Sequence, residues 1–262
     1  MKTLCILLMI TAMTLLTTTT ARAADPRKSP HGVYELRIYT TLPGRIDALN
    51  ARFRDHTVRL FEKHGMTNIG YWEPIEEADG KGTKLYYLLG FPSMEAREKS
   101  FKDFSADPAW KAAREASEAD GKILAPKGVQ SIFLTPTDYS MFNLEPSKEP
   151  RVFALRIYGT PDGKLDALHD RFRNHTIKLF EKHGMTNIAY FTPVKAEDGK
   201  GRNLTYLLAH PTAEANAQSF GSFRNDPVWQ KVKAETEANG SLTVPGGVKN
   251  ILLKPTDYSP LK

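Results

Sequence analysis

Cysteine is nearly absent: the 262-residue chain has one, Cys5. It stands early in an apolar stretch running from Leu4 to Leu16, with Lys2 before it and Ala21-Arg22-Ala23 after it. A short positive start, a brief apolar core and a small-x-small cleavage sequence read as a secretory leader over residues 1–23. The chain is therefore expected to be exported, periplasmic or secreted, with the leader cleaved after Ala23. Lipidation would need its cysteine at the cleavage site, and Cys5 is not there. The mature chain is left without a thiol, a disulfide or a cysteine-based metal site. Long apolar runs are missing too: nothing after the leader approaches the roughly 20 residues of a membrane-spanning helix, so no membrane contact is expected of the mature protein. Charge of a single sign is also lacking. Without Lys2 and Arg22, 34 basic residues stand against 30 acidic ones, interleaved along the chain. That pattern describes a solvated surface and argues against a nucleic-acid partner.

Several catalytic signatures are missing. There is no nucleophile elbow, dinucleotide fingerprint, paired-carboxylate motif or zinc helix motif. Covalent haem attachment needs cysteine and is excluded. Asp79-Gly80-Lys81-Gly82 is glycine-rich but lacks the phosphate-loop spacing and its following Ser or Thr, so it reads as a turn.

What the chain does have is a repeat. Phe61-Glu62-Lys63-His64-Gly65-Met66-Thr67-Asn68-Ile69 recurs as Phe180 to Ile188, and the offset of 119 holds without a gap from Val33/Val152 to Ser140/Ser259. A unit of that length is a small domain rather than a solenoid repeat. The first unit reads as a strand over Val33–Thr40, a helix over Arg45–Lys63 stopped by Gly65, and strands at Met66–Ile75 and Lys84–Phe91. Two helices opened by Ser93 and by Asp107-Pro108 follow, then a last strand at Val129–Leu134. The second unit repeats the order.

This β-α-β-β-α-β order predicts an α+β fold: two tandem ferredoxin-like repeats, each a four-stranded antiparallel sheet with helices on one face. The bare face must be buried. Two such sheets in one chain are expected to pack sheet-to-sheet as an α+β barrel; the alternative is pairing of each repeat with a second chain. The expected organisation is a leader at 1–23, a polar tether at 24–32, repeat 1 at 33–140, a linker at 141–151 and repeat 2 at 152–259.

Tyr34-Glu35-Leu36-Arg37-Ile38-Tyr39, Pro43-Gly44, and Leu60 to Gly65 continuing through Gly70-Tyr71-Trp72 resemble the NIPSNAP family. The resemblance covers both repeats and implies the dimeric α+β barrel fold. It implies little about activity, which is not well defined for the family. Animal members are linked to mitochondria and protein–protein interaction; the leader here points to another route, so that role is not carried over. Repeat 2 departs from the pattern at Ala154, Phe191 and Asp162, where repeat 1 has Glu35, Trp72 and Pro43.

Candidate chemistry sits at a few positions. His56 and His175 fall on the apolar face of their helices, between Phe53 and Leu60 or Phe172 and Leu179. A neutral imidazole facing the sheet suits a base, or a ligand to a metal or non-covalent haem; a core histidine holding helix to sheet is the plainer use. His64 and His183 close those helices against the dipole. Arg37, Tyr39, Arg156 and Tyr158 are expected to face the barrel interior, either binding an anionic or aromatic ligand or forming a network with Glu35. Trp72, Trp110 and Trp229 resemble a cofactor box, though their spacing also suits core packing. A one-site activity should use positions where the copies differ: Glu35/Ala154, Trp72/Phe191, Tyr86/Thr205 and Phe91/His210. The expected function is binding of a small apolar or aromatic molecule in a sheet–helix pocket. A monooxygenase-like or haem-related enzyme and an interaction or self-association module remain as alternatives.

Overall fold

The computed structural model describes residues 29–262. The expected leader and the first part of the expected tether lie outside the described residues. The described residues form eight strands: β1 (Val33–Thr41), β2 (Thr67–Pro74), β3 (Lys84–Phe91), β4 (Leu124–Pro136), β5 (Val152–Gly159), β6 (Thr186–Pro193), β7 (Asn203–His210) and β8 (Val248–Pro255). They close into one barrel in the order β1-β3-β2-β8-β5-β7-β6-β4. Within the first half the order across the sheet is 4-1-3-2, and the second half repeats it.

Closure occurs within the chain. β2 pairs with β8 at Trp72↔Pro255 and Pro74↔Leu253, and β4 pairs with β6 at Leu134↔Pro193 and Pro136↔Phe191. The repeats therefore cover each other's bare sheet faces, and no second chain is needed. Every neighbouring pair is antiparallel, so β1 and β5 run the same way. The β2–β3 and β6–β7 loops consequently share one end of the barrel.

The helices lie outside. In the first half these are α1 (Ile46–Arg52), α2 (Val58–Lys63), α3 (Met94–Ala106) and α4 (Pro108–Ser117). In the second they are α5 (Leu165–Arg171), α6 (Ile177–Lys182), α7 (Ala213–Asn225) and α8 (Pro227–Thr236). The predicted caps operate: Ser93 Oγ accepts from the Ala96 N–H at 3.2 Å, and Asp107 Oδ1 accepts from Ala109 at 2.8 Å with Pro108 opening α4. Gly65, at φ +76°, ends α2; the Met66 N–H returns to the Phe61 carbonyl at 3.0 Å.

The long first helix departs from a uniform α-helix. A π turn, Phe53–Thr57, joins α1 to α2, and Phe172–Thr176 does the same between α5 and α6. Thr57 Oγ1 donates to the Arg52 carbonyl at 3.1 Å, and Thr176 to Arg171 at 3.2 Å.

Each half ends by docking on the other. Ser259 Oγ accepts from the Tyr71 N–H and Ser140 Oγ from the Tyr190 N–H, both at 2.9 Å. Asp257 takes both arms of Arg54 at 2.6 and 2.8 Å, and Asp138 takes Arg173 at 2.8 Å twice. Tyr258 stacks on Phe53 and donates to Asn50 Oδ1 at 2.8 Å. The Pro-Thr-Asp-Tyr-Ser phrase that closes each repeat is thus the seam between them.

Candidate functional site

The π turn decides where His56 and His175 point. An α-helix would bring residue 56 onto the inner face three positions after Phe53. A wider turn advances less per residue, so Thr57 takes the inward place and is buried. His56 and His175 are exposed on the outer side, against the expectation that they face the sheet. His56 borders a groove of about 270 Å³ between α1 and α4, with Ala48, Asp55 and Ala113. His64 and His183 tie helix ends together. His64 Nε2 meets Asp107 Oδ2 at 2.8 Å and His183 Nε2 meets Asp226 Oδ2 at 2.7 Å; Lys63 and Lys182 share those carboxylates. Hydrogen bonds from the lysine, the histidine and a backbone N–H hold both carboxyl groups well below the usual range.

Strand β1 faces the opposite way from expectation. Tyr34, Leu36 and Ile38 point into the barrel, packed with Trp72, Leu88, Phe153 and Leu155. Arg37 and Tyr39 lie beneath the helices, as do Arg156 and Tyr158. Both faces of the strand are covered, so alternation alone could not tell inside from outside. In repeat 1 the result is a network around Glu35, which is 0% exposed. Its carboxylate accepts from Arg37 at 2.5 Å, from Arg97 twice at 2.8 Å and from Ser131. Arg37 also donates to Tyr87 at 2.7 Å and Tyr39 at 3.2 Å. The two guanidinium groups outweigh burial and hold the Glu35 carboxyl below its ordinary value. Tyr39 and Trp110 line a rim cleft of about 270 Å³ with Arg52, Arg114, Glu118 and Lys122. Behind that rim the layer is packed with rings, among them Phe53, Phe61, Tyr71 and Tyr87. Trp110 rests on Phe104 and Trp229 on Phe223, with the guanidinium groups of Arg52 and Arg171 over the indoles at 5.5 and 5.1 Å.

A larger volume, about 430 Å³, opens at the barrel end that carries the β2–β3 and β6–β7 loops. Leu36, Ile132, Ile157 and Thr205 form its inner wall; Asp198, Arg202, Asn203 and Lys249 line its rim. Strand register sets Thr205 on this wall. Thr205 pairs with Ile157 as Tyr86 pairs with Ile38 in repeat 1, and the Tyr86 ring is buried in the core. Below lies an apolar void of about 20 Å³, shared by Leu36 and Thr205 and bordered by Trp72. Trp72 Nε1 is buried there without an acceptor. Gly70 makes room for that indole: a Cβ would stand 2.3 Å from Trp72 Cη2, whereas repeat 2 holds Ala189 and the smaller Phe191. Asp198 Oδ2 is likewise buried without a partner, and burial, reinforced by Glu197, raises its pKa.

Sequence reasoning did not single out the rim residues Asp198, Arg202 and Lys249; Asp198 matches Asp79, which reads as part of a turn. The usable signal was Tyr86 against Thr205. The remaining differing position, His210, is buried on the helix side at the end of β7. Its Nε2 accepts from Asn216 at 2.9 Å and its Nδ1 has no partner.

Among the described residues no cluster of three or more His, Cys, Asp or Glu is placed to hold a metal ion, and no helix is long and apolar enough to cross a membrane. Among solved structures the chain is similar to a proposed monooxygenase from Fusobacterium nucleatum (TM-score 0.54, 9% identity, covering 85% of this chain and 91% of that one). It is also similar to a proposed monooxygenase from Lactobacillus acidophilus (0.50, 14%, 85% and 93%). A NIPSNAP-like domain protein from Burkholderia xenovorans aligns with one part of it (0.36, 20%, 41% and 87%). At these identities the first two likenesses speak to fold alone. No curated protein matches the chain. The NIPSNAP family model matches twice in tandem, over residues 34–141 and 153–260, and the chain belongs to the NIPSNAP family.

Proposed function

We propose that the protein binds a small molecule with an apolar, ring-sized body and a polar end in the open mouth of the barrel. The observation that carries this reading is the open volume of about 430 Å³ at this end of the barrel, lined by Thr205 where the matching Tyr86 ring is buried in the core. Binding sites of this size pair apolar walls with a few placed polar groups. Here the body lies against Leu36, Ile132 and Ile157. The unpartnered Asp198 Oδ2 accepts a hydrogen bond from a ligand hydroxyl or amine, and Arg202 and Asn203 supply donors. The sheet–helix layer is the weaker site, because rings fill it behind its rim. The leader read in residues 1–23 puts this binding outside the cytoplasm.

Native mass spectrometry of protein purified from its host, followed by ligand-observed NMR with a panel of phenols and cyclic ketones, tests the proposal. Thr205→Tyr should abolish binding, and Tyr86→Thr should open the matching half of the mouth and raise the stoichiometry. Binding indifferent to Thr205→Tyr, or no ligand in any of these measurements, would refute it.

A further inference from the structure

The two halves treat the same buried arginine differently. In repeat 1, Arg37 is paired with the Glu35 carboxylate, which Arg97 and Ser131 also hold. In repeat 2 the surroundings change: Ala154 stands for Glu35, Asn216 for Arg97, Asn250 for Ser131 and, nearby, His210 for Phe91. Arg156 keeps its place, 8% exposed, but its partners are neutral oxygens: Tyr206 at 2.9 Å, Asn250 at 2.7 Å and Tyr158 at 3.2 Å. Among the described residues no carboxylate lies within ion-pair range of it. A guanidinium has five N–H donors, and three are used.

The neighbouring His210 adds a further unsatisfied donor. It is 1% exposed, and accepting from Asn216 through Nε2 leaves the ring proton on Nδ1, which has no partner. Ala154 lies between them on this face of the sheet: its neighbour along β5 is Arg156, and Val152, the next residue the other way, pairs with His210. The Glu35 and Arg97 side chains have no counterpart of their size here, alanine and asparagine being smaller, and the Phe220 ring lies over the Arg156 guanidinium at 4.1 Å. Asn250, the acceptor of Arg156 NH1, is exposed, so the cluster adjoins solvent.

A buried charge without a counter-ion is costly, and an unpaired buried donor adds to the cost. We infer that repeat 2 binds a small carboxylate from solution at Arg156, where repeat 1 carries its own as Glu35. This site is on the helix side of the sheet, separate from the barrel mouth.

Acetate is the probe. Carbon-13-labelled acetate should broaden saturably on the wild-type chain, and the thermal midpoint should rise with the logarithm of acetate at constant ionic strength. Ala154→Glu should lose both responses. Glu35→Ala, which vacates the matching place in repeat 1, should be destabilised and recover with acetate, showing that the assay reads such a site. A crystal of the wild-type chain soaked in bromide should show an anomalous peak beside Arg156, a readout independent of any variant's folding. No acetate response, an equal response in Ala154→Glu, or only an ordered water at Arg156 would overturn the inference.

Discussion

Burial, reinforced by the nearby Arg156 charge, lowers the His210 imidazole pKa to about 4, against 6.5 for an unperturbed histidine. Between those values the unfolded chain takes up a proton that the folded chain refuses. Stability is therefore full above about pH 6.5 and falls as the pH drops toward 4. Replacing His210 by Phe, the residue at position 91 in the other half, removes this term. From pH 7 to pH 5 the wild type should lose about 2 kcal/mol more than His210→Phe in urea denaturation. Equal losses would place the imidazole in a less buried setting. Sequence comparison of the two halves picked out His210, Trp72 and Thr205, because each breaks an otherwise kept pair. It did not pick out Asp198, which matches Asp79 in the other half and differs only in what surrounds it.

Among the elements, the π turns were the feature that periodicity misread. Apolar residues at 49, 53 and 60 fit an ordinary helix, and that helix carries His56 inward. One wider turn rotates the following half, turning His56 outward and Thr57 inward. Nothing in the letters Phe-Arg-Asp-His-Thr announces it, whereas caps and stops at Ser93, Asp107 and Gly65 depend on single residues and were readable. Thr57→Val keeps the shape but deletes the hydroxyl bond to the Arg52 carbonyl; it should cost about 1 kcal/mol in chemical denaturation, with Thr57→Ser close to wild type. If Thr57→Val is neutral, the hydroxyl bond does not support the turn.

For the whole molecule, duplication made the architecture legible: a repeated sheet with one bare face leaves few ways to bury it. Which face of β1 looks inward was not legible, since both sides of that strand are covered. The seams make the halves interdependent, as each ends on the other's second strand. Ser259→Ala strips the acceptor from the buried Tyr71 N–H and should cost about 1–3 kcal/mol. In calorimetry it should lower one shared transition; two separated transitions would mean that the halves unfold independently. The linker adds a last consequence. Phe142 stacks on Tyr34, and Asn143 bonds to Ile188 at the end where β1 and β6 begin, with Leu144 and Leu261 packed into the same core. Joining the two copies in one chain thus lays linker side chains over that end of the barrel, opposite the open mouth, and the connection between the halves becomes part of their shared core.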